Sequence, residues 1–143
     1  MFAIIRVRGI RKLNPKIKKT LEMLNLNRPN HCAVVPENAQ YKGMLNVVKD
    51  YVTFGQIDEN ILFKLVHKKG RKGRKMLRTL MDEKALKAAV KEVADGKKKL
   101  SDIADPVFCL HPPRKGYENI KLHYPLGALG KRDNISELIS RMI

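Results

Sequence analysis

The sequence predicts an α+β fold: a three-stranded sheet in the order β-α-β-α-β with two helices on one face, followed by a mostly helical, loop-rich C-terminal extension. Three observations predict it. The first 57 residues alternate three short strand-like runs with two helical stripes, each apolar on one side only. Beyond residue 58 the apolar spacing turns helical or is broken by Pro and Gly. At 143 residues and 43% hydrophobic content, the chain can bury roughly two-thirds of its unfolded surface, enough for a proper core. The organisation reads as a core domain over 1–57 and a basic extension over 58–143.

Met1 to Arg8 alternates as a strand, with Ala3, Ile5 and Val7 on one face and Ile4, Arg6 and Arg8 on the other. Gly9 opens a basic link, Ile10-Arg11-Lys12-Leu13. Asn14-Pro15 then starts a helix, with a capping side chain and a proline at the first helical position. Ile17, Leu21 and Leu24 form its core stripe. Lys16, Lys18 and Lys19 crowd the first turn, where the helix dipole disfavours cations, a cost that a phosphate partner offsets. His31 to Pro36 is a short apolar run with the look of a buried strand. A second helix follows from Asn38, with Tyr41, Met44, Leu45 and Val48 on one face. Gly43 inside it is unfavourable by about 1 kcal/mol relative to alanine unless something packs closely there, so a tight helix–sheet junction is expected. Tyr51 to Ile57 is the third strand, with Gly55 as a bulge or close approach. Both helices on one face leave the other sheet face open, carrying Arg6 and Arg8.

In the extension, Asp58 caps a helix whose apolar face is Ile61, Leu62 and Leu65. Lys64 to Arg78 then holds eight basic residues and no acid, without period or apolar face in its centre. That pattern predicts a free basic arm, mobile until it meets a polyanion. Asp82 to Ala94 returns to helical spacing through Leu86, Ala89, Val90 and Val93, and Ser101 to Ile103 starts a short helix. Val107 to Leu110 is strand-like, and His111 to Arg132 is Pro/Gly-punctuated, with little sign of packing. Asp133 caps a last helix, docked through Ile135, Leu138, Ile139 and Met142.

Charge narrows the function classes. Thirty Lys and Arg against 14 Asp and Glu leave a formal charge of +16 and a pI near 10.1, which points to a polyanionic partner, nucleic acid first. Both halves share it, +7 over 1–57 and +9 over 58–143. The longest apolar runs, Met1 to Ile5 and Val107 to Leu110, fall far short of the ~20 residues that span a bilayer, and Arg6 and Arg8 follow too closely for a secretory segment. Two cysteines make no disulfide framework, so a reducing, cytoplasmic setting is expected. Absent Trp and 6% aromatics argue against a site built on many stacked single-stranded bases.

Catalytic patterns are missing. The serines Ser101, Ser136 and Ser140 have no His close in sequence, and no nucleophile elbow, phosphate-binding loop or His-Glu-x-x-His occurs. No cofactor motif is present. His31-Cys32 with Cys109-Leu110-His111 offers two Cys and two His, but without the paired spacings of structural zinc sites, so Cys32 reads as core and no metal is expected.

Tyr41-x-Gly43-Met44-Leu45-x-x-Val48-x-x-Tyr51-Val52, after β-α-β with a basic first helix, resembles large-subunit ribosomal protein thirty, the universal family called protein seven in the eukaryotic cytosol. Pro106-Val107-Phe108-x-Leu110-His111-Pro112-Pro113-Arg114-Lys115-Gly116, then Ala128-Leu129-Gly130-Lys131-Arg132-Asp133, resembles its long archaeal form. One departure is Leu126 ahead of Gly127, where the family usually has two glycines.

The resemblance implies half a ferredoxin-like unit and a structural, non-enzymatic role in translation within the large ribosomal subunit. The partners implied are its large ribosomal RNA, the small 5S-type RNA of that subunit, and neighbouring ribosomal proteins. Folded RNA is gripped through phosphates and 2′-hydroxyls, a job for dispersed cations. Those expected to contact it are Arg6, Arg8, Arg11 and Lys12 on the first strand and its link, and Lys16 and Lys19 on the first helix. The arm adds Lys68, Lys69, Arg71, Lys72, Arg74 and Lys75, and the C-terminal loops add His111, Arg114, Lys115, Lys131 and Arg132. The rival class is a basic DNA- or RNA-architectural protein outside the ribosome. Its usual apolar wedges and dimer symmetry are not evident.

Overall fold

The computed structural model describes every residue except Lys12, Asp95 and Lys97. The first half follows the expected order: β1 (Phe2–Arg6), α1 (Pro15–Met23), β2 (His31–Val35), α2 (Ala39–Val48) and β3 (Val52–Gln56). Helix α1 starts as its sequence dictates, with Asn14 Oδ1 accepting from the Lys16 amide at 3.0 Å and Pro15 in the first turn. The second half supplies α3 (Glu59–Lys69), the hairpin β4 (Arg71–Lys72) and β5 (Lys75–Met76), and α4 (Leu77–Leu80). It continues with α5 (Glu83–Ala94), α6 (Leu100–Ile103), β6 (Val107–Cys109), β7 (Gly130–Lys131) and α7 (Ile135–Met142). The last helix is capped by Asn134, one residue past the expected Asp133.

The sheet has five strands in the order β6-β2-β1-β3-β7. β1 is central and antiparallel to both neighbours, pairing Ile4 with Ala33 on one side and with Phe54 on the other. Both edge strands come from beyond residue 58: β6 antiparallel to β2, and β7 parallel to β3. Phe2, Ile4, Ala33, Val35 and Val52 face α1 and α2, packing with Leu21, Leu24, Leu45 and Val48. Ala3, Ile5 and Cys32 face the extension, packing with Leu62, Leu65, Phe108, Ile135 and Ile139. A fully buried Leu or Ile contributes roughly 1.5–3 kcal/mol, so neither face can be left wet.

That arrangement corrects two expectations. The face opposite α1 and α2 is covered, and α1 and α2 sit on the even-numbered face of β1. Arg6 shares that face with Ile4 and is 2% exposed, so it is no surface contact. Gly43, in turn, lies on the exposed side of α2, where an added Cβ meets nothing within 4 Å. The tight junction is at Gly55 instead, where a Cβ would collide with the Arg132 carbonyl and touch Ile135.

The basic arm is also not free. Helix α3 runs on through Lys69, and residues 71–76 close a hairpin whose turn, Gly73-Arg74, places Gly73 at φ 63°. The Asp105 amide donates to the Arg71 carbonyl at 2.8 Å, the Gly73 amide to the Asp105 carboxylate at 3.1 Å, and the Lys72 ammonium to the Asp102 carbonyl at 3.4 Å. The one carboxylate in these contacts, that of Asp105, lies 32 positions downstream of Gly73, beyond any local window. The stretch 111–132 packs as well: Gly127, Ala128 and Leu129 are buried, and the Tyr124 amide donates to the Leu129 carbonyl at 2.9 Å.

Candidate nucleic-acid interface

The register brings several separated cations to one end of the sheet. β1 and β6 finish there, while β2, β3 and β7 begin. Arg8, Arg11, His111, Arg114 and Lys115 therefore leave the fold at a common rim.

Arg6 organises this rim from inside. Its Nη1 donates to the Leu26 carbonyl at 2.6 Å, Nη2 to the Gly9 carbonyl at 2.8 Å, and Nε to the Arg8 carbonyl at 3.0 Å. A buried guanidinium satisfied by carbonyl oxygens stays charged, although burial lowers its pKa from the ordinary arginine value. Arg8 projects outward with its guanidinium 5.1 Å from the centre of the Tyr51 ring, and donates to the Asp50 carbonyl at 3.2 Å. Arg8, Gly9, Ile10, Arg11 and Pro29 line a shallow groove of about 460 Å³. Lys12, expected beside them, lies outside the described residues.

The Pro112-Pro113 stretch continues the rim. The His111 amide donates to the Met142 carbonyl at 3.0 Å and the Arg114 amide to the Arg141 carbonyl at 3.1 Å, so this loop caps the end of α7. Lys115 sits at φ 69°, uncommon for a side-chain-bearing residue, and with Arg114 and His111 it is exposed. Tyr117 anchors the loop: its hydroxyl donates to Asn30 Oδ1 at 2.9 Å, and burial pushes its phenol up to about 12.

The remaining expected contacts are dispersed. Lys16 and Lys19 are exposed on α1. Lys68 and the half-buried Lys69 end α3, and Arg71, Lys72, Arg74 and Lys75 are exposed on the hairpin, near the start of β6 and so at the other end of the sheet. Lys131 is exposed on the β7 edge, whereas Arg132 is half-buried with its guanidinium 5.0 Å from the Tyr124 ring centre. Sequence reasoning missed Tyr51, Asp50 and His123, which brace the rim; His123 Nε2 lies 2.8 Å from Asp50 Oδ1. The 73-residue separation of Asp50 and His123 carries no local signal.

Cys109 Sγ lies 3.8 Å from His31 Nε2 as cross-strand neighbours, and burial, then Arg28 and Arg6, lower the His31 pKa. Cys32 is fully buried, which pushes its thiol up to about 12. Among the described residues no group of three or more His, Cys, Asp or Glu is placed to hold a metal ion. No helix among them is long and apolar enough to cross a membrane.

Fold and surface together define the class: a small basic α+β protein that presents cations on rigid strand ends, a hairpin and braced loops. Residues 2–52 match the family model described as ribosomal protein L30p/L7e. The whole chain is 44% identical to large ribosomal subunit protein uL30 of Archaeoglobus fulgidus, with 99% of each chain covered. It is 43% identical to the uL30 protein of Methanocella arvoryzae and 42% to that of Methanothrix thermoacetophila, again over 99% of each chain. The chain belongs to the uL30 family of large ribosomal subunit proteins.

Proposed function

We propose that this protein is a structural constituent of the large ribosomal subunit in the cytoplasm, bound to its ribosomal RNA and supporting translation without a catalytic step. The end-to-end likeness to relatives named large ribosomal subunit protein carries the reading. Residues 1–57 serve as the common ribosomal core and 58–143 as an extension that widens the RNA contact. The contacts are Arg8, Arg11, His111, Arg114 and Lys115 at the rim, Lys16 and Lys19 on α1, and Lys131 and Arg132 on β7. Lys68, Lys69, Arg71, Lys72, Arg74 and Lys75 form a second patch at the end of α3 and on the hairpin. With two cationic patches at opposite ends of one sheet, the protein bridges separate RNA segments, the 5S-type RNA being one of them. Neighbouring ribosomal proteins cover what RNA leaves exposed.

Sedimentation tests this. The protein should co-sediment with the large subunit at one copy per particle and stay through a high-salt wash that strips loosely held basic proteins. Recovery at the top of the gradient at low salt would refute the reading.

A further inference from the structure

The groove at the rim has the chemistry of a base rather than of a phosphate alone. It mixes two cations, Arg8 and Arg11, with two apolar walls, Ile10 and Pro29. Ile10 is 52% exposed, so no internal packing accounts for an apolar residue there. Gly9 is equally unexplained from within. Its φ is not in the left-handed region and an added Cβ meets nothing within 4 Å, so neither backbone conformation nor the fold's own packing requires a glycine. A glycine needed by no internal contact fits close approach by an external group. Meanwhile Arg6 turns the Arg8 and Gly9 carbonyls inward, so the loop does not present those acceptors to an anionic partner.

The geometry points to a seat for one unpaired RNA base in this groove: the base stacks on the Arg8 guanidinium between Ile10 and Pro29, with Arg11 on a flanking phosphate. Tyr51 already lies against one side of that guanidinium, so the side facing away from the ring is the one available. Planar guanidinium groups stack on bases as aromatic rings do, and unpaired bases are where proteins read RNA. Arg6 is then a positioning residue: it touches no RNA and holds the backbone on which Arg8, Gly9 and Ile10 stand. This deepens the ribosomal reading and rests on it.

The test uses the full chain, purified archaeal large-subunit ribosomal RNA and two readouts: affinity over a range of salt, and dimethyl sulfate modification of unpaired bases. Arg8→Lys keeps the charge and loses the stacking plane, so affinity should fall roughly tenfold with no change in salt slope. Ile10→Ala, which leaves the Tyr51 contact untouched, should do the same, and Gly9→Val should block the seat while leaving the melting temperature alone. Each should re-expose a base that the parent protects. Arg11→Gln should instead lower the salt slope by about one.

Arg8→Lys and Ile10→Ala proteins that bind and protect like the parent at every salt would overturn the base seat. So would variants that bind free RNA normally yet are lost from assembled subunits, which would give the groove to a protein neighbour. A parent that binds no ribosomal RNA at all would remove the ribosomal reading and the seat with it.

Discussion

Three carbonyl oxygens, those of Arg8, Gly9 and Leu26, surround the Arg6 guanidinium. Its donors are spent on Arg8, Gly9 and Leu26, so the residue joins the end of β1 to the return segment after α1. Gln has only two N–H donors and a shorter reach, so replacing Arg6 by Gln leaves at least one of those carbonyls without its donor at a largely buried position. The expected cost is about 2–4 kcal/mol in urea unfolding. A cost below about 0.5 kcal/mol would mean that Arg6 is a surface residue after all. Alternation along β1 correctly placed Arg6 with Ile4, but alternation says only which residues share a face, not what covers it. Arg8, two residues on, is past the last strand residue and half-exposed, so its guanidinium reaches the surface.

At the scale of elements, Gly43 and Gly55 part ways: the close approach expected at Gly55 is present, and the tight junction expected at Gly43 is absent. Gly43 interrupts a helix and meets no neighbour, whereas Gly55 in β3 lets the backbone before α7 approach to contact distance. Gly43→Ala should therefore stabilise the free protein by roughly 0.5–1 kcal/mol through helix propensity. Gly55→Ala should destabilise it by about 1–3 kcal/mol or more by forcing β7 off β3. Thermal melts of the two variants, expected to move in opposite directions, check both. The helices themselves were legible because Asn14, Asn38 and Asp58 sit immediately before stripes of helical period. The hairpin was not, because the residues that hold it, Asp102 in α6 and Asp105 in the connection to β6, lie about thirty positions downstream.

Across the whole molecule, Tyr117 links the start of β2 to α7 through Asn30 and Met142. Its phenol is raised to about 12 by burial, above the usual value near 10 of an unfolded chain. The folded state thus binds a proton that the unfolded state gives up between those two values. The contribution is fully present below pH 10 and is lost as pH rises toward 12. Tyr117→Phe should be less stable than the parent at neutral pH, and the gap should narrow over that window. A gap constant from pH 8 to 12 would contradict the assignment.

The sequence by itself determined what is local: the alternation of strands and helices over the first 57 residues, the apolar stripes of α5 and α7, the overall positive charge, and the motifs that mark the family. Those properties depend on residues within a few positions of one another, and a spacing of two or of 3.6 records them directly. Only the tertiary structure decided that the sheet has five strands, that both its faces are buried, that Arg6 is internal and that the basic arm is a hairpin. Each of these turns on contacts between residues tens of positions apart, such as Thr53 with Gly130 or Gly73 with Asp105. No one-dimensional period encodes them, because they depend on which apolar stripe the chain finds available to bury once its elements have formed.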